Sequence, residues 1–160
     1  MKIENITEVW YDLIIQLNNE NTPAVSKLDT TQLIFLIEHS KYAWMILNQQ
    51  ENDLIGFCLI LGEGINYQSM NYQWVSKYRN EFDYLDRVVI AKKFQKMGIG
   101  KKLYETWQNK TTSTHLLLEV NIRPKNEASL LFHEKLGFKA VGEQETDKGE
   151  KRVRYLELKK

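Results

Sequence analysis

The stretch from Val88 to Leu103 constrains this chain more than any other. A β-branched apolar run, Val88-Val89-Ile90, ends in a short basic link, Ala91-Lys92-Lys93-Phe94-Gln95-Lys96-Met97. Gly98-Ile99-Gly100 then opens a helical pattern. A strand that enters a helix through a glycine-bearing turn lets backbone N–H groups approach an anion, and the helix terminus adds favourable partial charge. Five lysines and no acidic residue between Lys92 and Lys102 point to a phosphate-bearing ligand. Spacing excludes the two commonest phosphate loops. A P-loop ending at Gly100 needs Gly at 95 and Ser or Thr at 102, where this chain has Gln95 and Lys102. A dinucleotide fingerprint starting at Gly98 needs Gly or Ala at 103, and Leu103 stands there.

At 160 residues, with 42% hydrophobic and 27% charged positions, the chain reads as one globular domain spanning residues 1–160. Its net charge of +1 gives no global drive toward nucleic acid or membrane, so the lysine cluster is local and neither partner is expected. The sole cysteine, Cys58, excludes an internal disulfide. It lies in the apolar run from Ile55 to Leu61, where a buried, inert thiol is expected. No run approaches membrane-spanning length, and Met1-Lys2-Ile3-Glu4-Asn5 lacks a signal peptide's apolar core. A cytoplasmic protein is expected. His39 and His115 lack metal-ligand spacing and the chain has no Cys/His cluster, so no metal is expected.

Apolar periodicity predicts a helix over Thr7–Leu17 with Thr7 as its cap, and a second one after the capping pattern Asp29-Thr30-Thr31-Gln32. Strands are expected over Tyr42–Leu47 and Leu54–Leu61, joined by the polar loop Asn48–Asp53. Gly62–Asn80 is aromatic and glycine-flanked, with a short helix near Ser69–Tyr78. A strand over Phe82–Ile90, a helix over Gly98–Asn109, a strand over Thr114–Val120 and a helix over Asn126–Leu136 follow. Phe138–Gln144 and Val153–Leu158 close the chain as a hairpin around Asp147-Lys148-Gly149. The pattern alone gives an α/β class.

The run Gln95-x-x-Gly98-x-Gly100 after a strand resembles the coenzyme A loop of the GNAT acetyltransferase superfamily. Downstream, Asn126-Glu127-Ala128-Ser129-Leu130-Leu131-Phe132-His133-Glu134-Lys135-Leu136-Gly137-Phe138 resembles that family's second signature, an Asn-opened helix ending in Leu-Gly-Phe. The two cover residues 84–140 in the family's order. The resemblance implies a single-domain GNAT-like fold: a mixed, twisted sheet of about six to seven strands with helices on both faces. The family's usual first edge strand is not evident before Thr7. The implied activity is transfer of acetyl from acetyl-coenzyme A to a primary amine, of a small molecule or a peptide, by direct attack in a ternary complex. The alternative is a degenerate member that binds coenzyme A as a sensor or assembly module.

The resemblance also implies site residues. The backbone of Val88, Val89 and Ile90 would pair with the pantetheine arm. N–H groups following Gln95, on Lys96, Met97, Gly98, Ile99, Gly100 and Lys101, would cradle the pyrophosphate, with Gly98 and Gly100 leaving room for it. Asn126 would contact the coenzyme. The family usually places a thiolate-protonating tyrosine four residues before the Gly of Leu-Gly-Phe; here that position is His133. For the base, Glu119 is first because it is a charged residue inside the apolar strand Leu116-Leu117-Leu118-Glu119-Val120. Asp86 is second and Tyr84 a further rival; capture of an already neutral amine is the remaining route. Tyr67, Tyr72, Trp74, Tyr78, Phe82 and Tyr84, with Glu81, Asp83 and Asp86, suit a cationic amine. They suit equally the packing of a long loop or a homodimer contact. Glu20-Asn21-Thr22-Pro23 falls where the family often meets its acceptor.

Overall fold

The computed structural model describes residues 1–50 and 53–160. It contains seven strands and five α-helices, with strands in the order β1-β2-β3-β4-β5-β7-β6. Two compact units divide the chain: Met1–Leu61 with Asp86–Thr111, and Gly62–Leu85 with Thr112–Lys160. Strand β4 (Asp83–Ile90) contributes its first three residues to the second unit and the rest to the first.

In the first unit, β1 (Lys2–Asn5) pairs antiparallel with β2 (Ser40–Leu47), Ile3 opposite Ile46. The sequence pattern misses β1 because Ile3 is its only apolar residue; pairing with β2 defines the strand. The expected first helix begins instead as a 3-10 turn, Glu8–Trp10, and continues as α1 (Tyr11–Asn19). Thr7 makes no side-chain cap bond. Helix α2 (Thr30–His39) starts on the expected capping box: the Asp29 carboxylate accepts from Gln32 N–H at 2.8 Å, and the Gln32 side chain accepts from Asp29 N–H at 3.1 Å. Strand β3 (Leu54–Leu61) forms a hairpin with β2, closed where Asn48 N–H meets Asp53 O at 2.9 Å. Glu51 and Asn52 of the predicted loop lie outside the described residues. Ile14, Leu33, Leu36, Phe57 and Leu59 build the core, joined by Leu103, Tyr104 and Trp107 of α4 (Ile99–Lys110). Cys58 is fully buried, and burial pushes its thiol up to about 12, so it is an inert core residue.

In the second unit, α3 (Met70–Tyr78) is capped by the Ser69 hydroxyl, which accepts from Tyr72 N–H. Strand β5 (His115–Arg123) runs parallel to the start of β4, Asp83 opposite Leu116 and Tyr84 opposite Leu117. Its other neighbour is the last strand, β7 (Lys151–Lys159), antiparallel, with β6 (Lys139–Thr146) outside β7. Asp147–Gly149 turns that hairpin as predicted. Helix α5 (Glu127–Lys135) follows β5. Gly142 on β6 lies against Trp74 of α3: a Cβ there would strike the indole. The indole in turn stacks on Tyr155 of β7, ring centres 3.9 Å apart and planes 3° from parallel.

Candidate functional site

The strand-to-helix junction of the first unit is shaped by backbone requirements. Ile90 ends β4, Ala91 N–H donates to Ile55 O at 2.8 Å, and Lys92–Phe94 make a 3-10 turn. The Gln95 amide folds back and donates to Ile90 O at 2.9 Å, tying the link to the strand end. Lys96 has φ of 63° and Gly98 φ of 79°, both left-handed. A side chain at Gly98 would be strained by that angle although nothing lies within 4 Å of the position. Gly98 is the N-cap of α4 and makes no side-chain cap bond. Gly100 is different: it is helical, without a left-handed angle, so its backbone does not require glycine. A glycine in the first turn of the helix leaves its backbone open to close approach by a ligand. Val89 is buried, while Val88, Ile90 and Gly100 are half-buried. Met97 and the five lysines are exposed, and the side chain of Ile99 enters the core.

Asp86, also in the first unit, lies beside a buried cation. Its Oδ2 is 3.3 Å from Arg87 Nε, and both side chains are largely inaccessible. The Arg87 guanidinium donates to Asn18 Oδ1, Ser26 O and Ser26 Oγ at 3.1, 2.7 and 2.9 Å. Arg87 thus ties the connection between α1 and α2, which includes Glu20–Pro23, to β4.

Glu119, in the second unit, is half-buried on β5 between the buried Leu118 and Val120. Its Oε2 accepts from Tyr84 OH at 2.7 Å and its Oε1 from Asn71 Nδ2 at 3.1 Å. Tyr155 OH donates to Asn71 Oδ1 at 2.8 Å, completing a chain of four side chains from β4, α3, β5 and β7. Burial first, then the Glu119 charge, pushes the Tyr155 phenol upward, so it stays protonated. Two of these residues, Asn71 and Tyr155, escaped sequence reasoning: Asn71 meets Glu119 across 48 residues of chain, and Tyr155 stands opposite Glu119 in the β5–β7 register and bonds Asn71.

Asn126 caps α5, its Oδ1 accepting from Ser129 N–H at 3.2 Å, and it is half-buried. His133 is buried at 4% exposure among Ser129, Phe132 and Phe138. Its Nδ1 donates to Ser129 O at 2.7 Å, which leaves the acceptor lone pair on Nε2 in the neutral ring. Desolvation lowers its pKa to about 4, against a smaller opposing effect of the Ser129 carbonyl. The imidazole is therefore neutral at pH 7.

The aromatic segment takes the packing role. Tyr72, Phe82 and Tyr84 are buried, their ring centres 5.8–5.9 Å apart around Tyr72. The Tyr72 hydroxyl donates to Gly62 O and accepts from Ile65 N–H, pinning the loop before α3. Nearby, Glu157 accepts from Arg79, Tyr78 and His115, and these partners outweigh its burial, so its carboxyl is held below the usual range. No helix among the described residues is long and apolar enough to cross a membrane.

Residues 37–156 match the sequence model of a family described as an acetyltransferase (GNAT) domain. No curated protein matches in sequence. Among solved structures the chain is similar to the ribosomal-protein-S18-alanine N-acetyltransferase from Escherichia coli, with TM-score 0.70 and 16% identity over 99% of this chain and 92% of that one. It is also similar to Arabidopsis thaliana NAA60 in complex with a bisubstrate analogue, with TM-score 0.75 and 13% identity over 99% and 97%. A third is an aminoglycoside 6'-N-acetyltransferase complexed with coenzyme A, with TM-score 0.74 and 16% identity over 99% and 97%. At such identities the likeness is one of fold.

Proposed function

We propose that this chain, which belongs to the GNAT acetyltransferase family, moves the acetyl group of acetyl-coenzyme A to a primary amine by direct attack in a ternary complex. The junction from Ile90 to Lys101 carries the proposal. Its left-handed turn at Gly98, its helical Gly100 and its exposed lysines suit a pyrophosphate at the start of α4. In this reading the backbone of Val88, Val89 and Ile90 would pair with the amide-bearing arm of the coenzyme.

The chemistry requires the amine nitrogen to attack the thioester carbonyl, the C–S bond to break, one proton to leave the nitrogen and one to reach the sulfur. Glu119 is the group we assign to the amine proton. Asp86 is the weaker candidate, because its carboxylate already lies 3.3 Å from the Arg87 guanidinium. Asn126 would reach the coenzyme through Nδ2, its Oδ1 being used in the cap. His133 is the proposed donor to sulfur. Neutral at pH 7, it can deliver a proton only after first accepting one at Nε2. The acceptor is an amine of a small molecule or a peptide. The names of the similar proteins span a ribosomal-protein alanine and an aminoglycoside, both of which present amines.

The test is release of free thiol from acetyl-coenzyme A against a panel of amines, run beside calorimetry of coenzyme binding. At least one amine class should raise thiol release well above background hydrolysis, and Gly98→Val should remove both binding and release. Tight binding with no release from any amine would overturn the transferase reading in favour of a coenzyme-binding module.

A further inference from the structure

We propose that Asn71 and Tyr155 are positioning residues that fix the Glu119 carboxylate in place and set its readiness to take a proton. The inference rests on the transferase reading above, in which Glu119 is the base. Glu119 has three rotatable side-chain bonds and is only half-buried, so the strand alone does not fix its carboxylate. Tyr84 holds one oxygen at 2.7 Å; Asn71, from the first turn of α3, holds the other at 3.1 Å.

The Glu119 carboxylate only accepts, so the Asn71 NH₂ group faces it and Oδ1 is left to accept from Tyr155 OH. A flipped amide would set Oδ1 against a carboxylate oxygen, which is repulsive. Tyr155 in turn cannot turn away, because its ring lies flat on Trp74, which Gly142 leaves room to seat. The titratable groups facing Glu119 in this chain of contacts are Tyr84 of β4, whose hydroxyl donates to it, and Tyr155 of β7, opposite it in the register, whose hydroxyl donates to Asn71.

Asn71→Asp tests the link with almost no change of shape. It retains an oxygen for Tyr155 and places a second carboxylate against Glu119, and two carboxylates that close do not both ionise readily. The readout is the Glu119 titration, followed by carbon NMR of protein labelled at the glutamate carboxyl carbon, its resonance identified by loss in Glu119→Gln. The expected result is a midpoint raised by about one pH unit or more in Asn71→Asp, with a smaller rise in Asn71→Ala from loss of a donor. Tyr155→Phe, which deletes one oxygen and frees the amide to turn, should shift the midpoint less than Asn71→Asp. It decides the matter alone if the Asn71 variants do not fold by near-ultraviolet circular dichroism. A Glu119 midpoint identical in wild type and folded variants overturns the proposal. Thiol release by Glu119→Gln is the separate arm. A titration that responds to Asn71, together with full release by Glu119→Gln, would reject Glu119 as base while the positioning by Asn71 and Tyr155 stands.

Discussion

His133 is the residue whose environment most changes its chemistry. Burial lowers its pKa from 6.5 to about 4, so an unfolded chain binds a proton there between those values and the folded one does not. Folding stability should therefore fall as pH drops through that window. Between pH 7 and pH 5 the cost is about 2 kcal/mol. Urea unfolding should show that loss in wild type and a visibly smaller one in His133→Gln; equal losses would place the imidazole in solvent. The same neutrality bears on catalysis. About one imidazole in a thousand is charged at pH 7 with a pKa so low. If His133 relays the proton, His133→Ala should lower turnover by about 10²–10⁴ with little change in coenzyme affinity, and His133→Tyr should restore part of it. Near-normal turnover in His133→Ala at saturating donor would reject the role. His133 and Glu119 were both legible as residues of interest from position. What sequence could not disclose was the bonding of each: Ser129 one turn away from His133, and around Glu119 the Asn71 side chain of α3 and Tyr155 of the neighbouring strand β7.

At the scale of elements, strand β4 depends on a neighbour that has no side chain. A Cβ added at Gly56 of β3 would collide with Val89 O and press on Ile90 Cδ1, and a backbone carbonyl cannot swing aside as a flexible side chain can. Gly56→Ala should therefore destabilise by roughly 1–3 kcal/mol, read as a lower urea midpoint, and should displace the very segment expected to pair with the coenzyme. An unchanged midpoint would mean that β3 and β4 separate at little cost. Glycine inside a strand signals such close approach, but the sequence does not say which strand comes near. The helices were legible where caps and periodicity coincide, as at Asp29 and Asn126. Strand β1 was not, because four residues with a single apolar side chain carry almost no pattern and the strand exists through its pairing with β2. The order of β6 and β7 was also beyond the pattern: both look like hairpin strands, and only pairing with β5 decides which lies inside.

Over the whole molecule the charges nearly cancel, at a net +1, so no long-range field draws an anionic ligand to it. Attraction of coenzyme A must then come from the exposed lysines near the start of α4, where Lys96 lies in the left-handed turn and Lys101 in the first turn of the helix. Charges exposed in this way interact over about 10 Å at 0.1 M salt and about 3 Å at 1 M. Each exposed ion pair contributes roughly 0.2–1 kcal/mol, and two or three together correspond to about a tenfold change in affinity. Calorimetry should show binding weakened about tenfold between those salt concentrations. The double variant Lys96→Gln/Lys101→Gln should bind more weakly than wild type at 0.1 M and equally at 1 M, because salt has already removed what the substitutions remove. Lys110→Gln changes net charge in the same direction from the last turn of α4, more than about 10 Å along the helix from Lys101, and should leave the salt dependence intact. A double variant with the wild-type salt dependence would show that Lys96 and Lys101 do not hold the phosphates, and these two lysines would then lose their part in donor binding.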